Sequence, residues 1–153
     1  MQRVIAMPMP GSADLRNAIQ RALTLEAGSD ADAKALAAAA LRLYETLAGQ
    51  LALLIGEAGV RALTARSLHL VQRDFPWLAE AGDPGQSERT FAQVGLRLER
   101  QEPTLAREAA TAVLATLGGL LATLIGDALT MSVLRAAWPS ALPNPTQQEA
   151  RSR

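Results

Sequence analysis

Two carboxylates set in nearly identical apolar stretches are the residues of this chain best placed to do chemistry. Glu57 lies in LLIGEAG, and Asp127 lies 70 positions later in TLIGDAL. An acidic side chain in such a setting has three interpretations. It caps a helix or faces water beside a glycine kink, it pairs with an arginine inside the protein, or the two carboxylates meet in a ligand or metal site.

Arginines follow both carboxylates at helical spacings. Arg61 stands four residues after Glu57, in the order that favours an ion pair along a helix. Asp127 has Met131 at that spacing, so Arg135 is its candidate partner. If the two halves form a shared cavity, Glu57, Asp127, Arg61 and Arg135 would bind a small molecule, with a carboxylate orienting a cationic ligand. This hypothesis stands beside the two structural interpretations.

His69 is the single histidine. The Glu-x-x-His pattern of carboxylate-bridged metal bundles is missing, because Arg66 stands three residues before it. The chain also has no cysteine, which removes thiolate zinc sites. We therefore expect no metal and no cofactor. As an alternative function, His69 would carry a phosphoryl group, as in helical histidine phosphotransfer domains. The Lys and Gly that follow their histidine are missing here, so a solvated or half-buried structural histidine is the preferred interpretation.

Other catalytic and nucleic-acid signatures are missing from the sequence. There is no Walker-type Gly-Lys-Ser/Thr loop, no Gly-x-Gly-x-x-Gly and no Gly-x-Ser-x-Gly. The formal charge is zero, from 15 basic and 15 acidic residues, and the arginines form no basic stripe. The sequence therefore predicts no catalytic residue and no nucleic-acid partner.

The composition predicts that helices position these residues. Hydrophobic residues make up 49% of the chain and aromatic residues only 3%, so the apolar content is mainly Ala and Leu, the strongest helix formers. A first helix, capped by Ser12 or Asp14, ends at Gly28. A second begins at a capping box formed by Ser29 and Asp32. It extends to about Arg73, with a kink or a helix break between Gly56 and Gly59. The apolar positions predicted to face the core are Leu15, Ala18, Ile19, Ala22 and Leu23 in the first helix, and Leu36, Ala40, Leu43, Leu47, Leu51, Leu54 and Ala58 in the second.

The second half of the chain is predicted to hold a short helix and a long one. Ser87 caps the short helix, which carries Phe91, Val94 and Leu98. Pro103 fits the first turn of the long helix, which we expect to extend without a break to about Ala137. Trp138-Pro139 ends it. Phe75, Trp77 and Trp138 would serve as anchors of an interface or of the core, and the core is the preferred interpretation for each.

The repeated heptads predict an internal duplication. Thr46–Ala58 and Thr116–Ala128 are identical at nine of 13 positions. A helix with one apolar face must bury it against another helix. We therefore expect an antiparallel bundle of about four main helices plus shorter ones, built from units at about 31–80 and 102–142. The paired glycines Gly49, Gly56, Gly119 and Gly126 are predicted to let two long helices approach closely.

The chain is predicted to be one cytoplasmic domain over residues 12–142, with flexible tails at 1–11 and 143–153. No secretion signal is evident. Ala109–Gly126 carries no charge over 18 residues, but its Thr, Gly and Ala content favours a buried soluble helix over a membrane span. Together these patterns predict a non-enzymatic interaction or regulatory module, of the kind used in bacterial-type signalling, that forms a homodimer.

Overall fold

The fold is all-α, as predicted. The computed structural model describes residues 13–81 and 90–142, and within these ranges it contains five α-helices, one 3₁₀ helix and no strand. The predicted tails and the Ser12 and Ser87 caps lie outside the described residues. The α-helices in chain order are α1 (Ala13–Ala27), α2 (Ala33–Val71), α3 (Thr90–Leu98), α4 (Pro103–Ile125) and α5 (Asp127–Ala137), and the 3₁₀ helix (Pro76–Ala81) follows α2.

Local signals set most of the helix ends. Gly28, at φ 98°, ends α1 in a conformation that side chains other than glycine rarely adopt. Asp32 is the N-cap of α2 and accepts a hydrogen bond from the Ala35 amide at 2.8 Å. The expected capping box is not formed: the predicted N-cap, Ser29, lies three residues before the observed N-cap, Asp32. Pro103 occupies the first turn of α4, as predicted.

Gly56 divides α2 into two helical arms, at residues 33–55 and 57–71. Its backbone has φ 78° and ψ 164°, outside any helical region. The hydroxyls of Tyr44 and Thr64 lie 2.9 Å apart across this break. In a straight helix, 20 residues would separate them by about 30 Å. The second arm therefore folds back against the first, and the predicted kink is a sharp turn.

The long helix expected after Pro103 is broken, contrary to prediction. It stops at Ile125, and Gly126, with φ 92° and ψ 159°, separates α4 from α5. Because these angles are close to those of Gly56, both heptads adopt the same helix–glycine–helix conformation. Trp138 ends α5, as expected, and its indole Nε1 donates a hydrogen bond to the Leu43 carbonyl at 3.1 Å. This bond links the end of α5 to the first arm of α2.

The core lies chiefly between α2 and α4, with α1 packed on both. All five apolar positions predicted to face the core in α1 are buried. A Cβ placed on Gly118 would lie 2.8 Å from Leu15, while Thr24 accepts a hydrogen bond from Arg107 at 3.0 Å. Since one end of α1 meets residue 118 and its other end meets residue 107, α1 and α4 run in opposite directions.

The glycine-mediated helix approach was predicted at the wrong positions. A Cβ on Gly49, Gly56 or Gly126 would meet no atom within 4 Å, so no helix packs closely there. Gly118 instead gives α4 its close contact with α1. The turn glycines are required for their backbone angles, and the sequence pattern did not distinguish that requirement from close packing.

Thr111 and Thr130 are fully buried in the core. Their hydroxyls make no hydrogen bond among the described residues. An unpaired buried hydroxyl lowers stability by about 1–3 kcal/mol. We expect Thr130→Val, which removes the hydroxyl and keeps the branched shape, to raise the free energy of unfolding by about 1 kcal/mol.

Thr64→Val is the matched control for that substitution. Thr64 is also buried, but its hydroxyl is bonded to Tyr44, so its replacement is expected to lower stability by about 1 kcal/mol. Equilibrium urea unfolding of both variants measures the difference. A loss of stability in Thr130→Val equal to that in Thr64→Val would show that the Thr130 hydroxyl has a partner.

Candidate functional site

Both carboxylates of the repeated heptads begin a helix. Glu57 is the first residue after the Gly56 break, and Asp127 is the first residue of α5. Glu57 is exposed and Asp127 is partly exposed. A negative charge in the first turn of a helix is favoured by the helix dipole by about 0.3–1 kcal/mol. This placement agrees with the first of the three interpretations, a carboxylate beside a glycine kink that faces water.

The arginines predicted to pair with these carboxylates do not form ion pairs with them. Arg61 is exposed and Arg135 is partly exposed, and no ion pair joins Glu57 to Arg61 or Asp127 to Arg135. Within the described ranges, the ion pair that forms is Arg42 with Glu26, at 2.8 Å on the surface. The carboxylate–arginine pairing inside the protein is therefore not found.

A small pocket brings together only half of the predicted ligand site. It has a volume of about 220 Å³ and is lined by Ala52, Glu57, Val60 and Arg61. Asp127 and Arg135 are not part of its lining. The volume is below the ~300–1,000 Å³ typical of small-molecule sites. Among the described residues, no group of three or more acidic or histidine side chains could hold a metal ion.

His69 lies exposed near the C-terminal end of α2. Exposure gives a phosphoryl donor access to the imidazole, which is one requirement of a phosphotransfer histidine. Arg73, the residue at the expected spacing after it, lies beyond the end of the helix and is also exposed. Histidine phosphotransfer at His69 thus stays an alternative hypothesis, separate from the surface described next.

Exposed leucines flank both glycine turns, and the sequence analysis did not single them out as a site. We define the glycine turns as residues 53–58 and 124–129. Leu53 is 83% exposed and Leu124 is 60% exposed. Leu54 and Leu129 are also exposed, although Leu54 was predicted to face the core. The four leucines therefore form exposed apolar surface at both glycine turns.

A sequence signal for this surface existed. Leu53, Leu54 and Ile55 are consecutive, and three successive residues point about 100° apart around a helix. They cannot all face one neighbouring helix. An apolar run of this kind therefore requires either burial on every side or an exposed apolar surface.

In the part of the chain that the structure describes, two helices are apolar and long enough to cross a bilayer, judged by length and composition alone: Ala33–Val71 and Pro103–Ile125. Half of the most apolar window in the second is buried within the protein, against 28% in the first. Core helices of soluble proteins satisfy the same criteria, so this finding favours neither environment.

Comparison with protein-family models, curated proteins and solved structures finds no match for this chain.

Proposed function

We propose that this chain is a non-enzymatic helical interaction module that forms a homodimer through the apolar surface at its glycine turns. The observation that carries the proposal is the exposure of Leu53, Leu54, Leu124 and Leu129 in the two repeated heptads. Burying one leucine side chain contributes about 1.5–3 kcal/mol. Four exposed leucines therefore represent a substantial driving force for association.

A second copy of the chain is the partner that the charges favour. Glu57 and Arg61 are both exposed beside the first glycine turn, and they do not pair with each other. In a two-fold symmetric interface, each surface meets the same surface of the second chain. Glu57 of each chain would then face Arg61 of the other chain, which gives two equivalent ion pairs. The chain has no net charge to oppose this association. An acidic residue in each turn argues against insertion into a lipid surface.

An internal duplication would explain why the chain has two such turns. The helical segments 33–55 and 103–125 have equal lengths and lie 70 positions apart, and each ends at a glycine with nearly the same angles. These similarities support two related units, at about 31–80 and 102–142. We propose that the units pack as an antiparallel bundle, which leaves one apolar turn on each unit available for association.

The dimer hypothesis is tested by the mass of the protein in solution. Sedimentation equilibrium is expected to give twice the 16.2 kDa chain mass for the wild type. Leu53→Glu and Leu124→Glu are each expected to weaken dimerisation by more than tenfold. Each substitution removes the roughly 1.5–3 kcal/mol gained by burying one leucine, and about 1.4 kcal/mol corresponds to a factor of ten. The matched control is Leu96→Glu. Leu96 is 59% exposed, close to the 60% of Leu124, but it lies on α3 away from both turns in sequence.

Several outcomes would contradict the proposal. These are a monomeric wild type, or dimerisation weakened equally by Leu96→Glu and Leu124→Glu.

A charge exchange tests the symmetric contact. Glu57→Arg and Arg61→Glu should each weaken the dimer, and the variant carrying both should restore it. If the double variant is weaker than either single variant, Glu57 and Arg61 do not meet across the interface.

A further inference from the structure

A polar groove beside α1 is separate from both glycine turns. It has a volume of about 910 Å³, within the ~300–1,000 Å³ range of small-molecule sites. One wall is the face of α1 opposite its buried apolar stripe, and Arg107 of α4 and Ser140 lie across from it. The lining residues are Asn17, Gln20, Arg21, Thr24, Leu25, Ser29, Arg107 and Ser140.

Among the described residues that line this groove, two are arginines and none is a carboxylate. Arg21 donates to the Ala141 carbonyl at 2.9 Å, and Arg107 donates to the Thr24 hydroxyl at 3.0 Å. Both acceptors are neutral. A guanidinium has five N–H donors, so each arginine keeps several donors after these bonds form. The bonds hold the two side chains in place and leave their charges available to a ligand.

The guanidinium groups of Arg21 and Arg107 belong to one groove on the same face of α1. Arg107 reaches Thr24, which stands three residues after Arg21 and therefore one helical turn away on the same face. The remaining side chains around them are mostly amides and hydroxyls, which also form hydrogen bonds to phosphate oxygens. Fixed arginines are the preferred protein groups for binding carboxylate or phosphate.

An apolar pocket continues from this groove. It has a volume of about 220 Å³ and shares Leu25 and Ser140 with the groove. Its lining includes Ala22, Leu43 and Trp138. The carboxylate in this pocket, Glu26, is paired with Arg42 at 2.8 Å, so it adds little net negative charge. A ligand that fits both spaces combines a charged group with a small apolar body.

We infer that this groove binds a small organic phosphate monoester, with Arg21 and Arg107 holding the phosphate and the adjoining pocket holding its apolar part. Two fixed positive charges match the double negative charge of a monoester near neutral pH. The inference does not depend on the dimer proposal, because none of its residues lies in a glycine turn.

Isothermal titration calorimetry with phenyl phosphate tests the inference. Phenyl phosphate is expected to bind more tightly than inorganic phosphate, which lacks the apolar part, and more tightly than benzoate, which has a single negative charge. Arg107→Gln and Arg21→Gln are each expected to weaken binding at least tenfold. Arg66→Gln is the matched control, because it removes the same charge from an exposed residue of α2 that does not line the groove.

Three results would overturn the inference. They are no binding of phenyl phosphate to the wild type, equal weakening by Arg66→Gln and Arg107→Gln, and binding of benzoate as tight as that of phenyl phosphate. Unfolding of each variant in urea shows whether it is folded. If Arg107→Gln does not fold, Arg21→Gln decides the result, because Arg21 is exposed on the outer face of α1.

Discussion

Trp138→Ala is expected to lower the free energy of unfolding by about 3–5 kcal/mol. Trp138 is 4% exposed, and its indole both fills space beside α2 and donates to the Leu43 carbonyl. The substitution therefore leaves a large cavity and removes the hydrogen bond that links the end of α5 to α2. Domains of this size are stable by only about 5–15 kcal/mol, so the loss is a large fraction of the total.

The second tryptophan provides a matched control. Trp77 lies partly exposed on the 3₁₀ helix, and its ring meets Phe75 edge to face at 6.0 Å. We expect Trp77→Ala to cost about half as much as Trp138→Ala, because less of its surface is removed from water. Urea unfolding followed by far-ultraviolet circular dichroism measures both variants without relying on tryptophan fluorescence. Equal losses would mean that Trp138 has no special role in joining α5 to α2.

Gly56→Ala is expected to lower stability by about 1–3 kcal/mol. The backbone angles of Gly56 fall in a region used essentially by glycine alone, so an added Cβ strains the turn even though the surrounding space is empty. If the chain relieved the strain by straightening the helix, Tyr44 and Thr64 would separate and their hydrogen bond would be lost. Gly126→Ala is expected to have an effect of similar size, since its angles are similar.

Gly49→Ala separates backbone strain from the simple addition of a methyl group. Gly49 also has nothing within 4 Å of its Cβ position, but it lies inside the first arm of α2 with helical geometry. Alanine favours the helix there by about 0.5–1 kcal/mol. We therefore expect Gly49→Ala to stabilise the protein and Gly56→Ala to destabilise it in urea unfolding. Changes of the same sign in both variants would contradict the turn geometry.

Both heptads form a helix–glycine–helix turn, and this shows where the sequence interpretation was inconsistent. The predicted helix boundaries interrupted the chain between Gly56 and Gly59 but carried one helix through Gly126, although a glycine kink beside each carboxylate was one of the interpretations and LIG followed by an acidic residue occurs at both. Low aromatic content and long apolar runs made 104–137 resemble one buried helix. Since the local sequence is nearly the same, equal weight on the two heptads would have predicted both turns.

The sequence by itself determined the helical class, the buried face of α1, the end of α1 at Gly28 and the helix start at Pro103. Each of these depends on backbone preferences and on periodicity within a few turns of one helix. Tertiary structure decided which apolar residues near the glycine turns are covered. Leu51 is fully buried and Leu53 is 83% exposed, although they are two positions apart in the same apolar run. Burial depends on which helices lie opposite a residue. The same reason explains the polar groove, because Arg21 and Arg107 are 86 positions apart and line one groove only when α1 packs against α4.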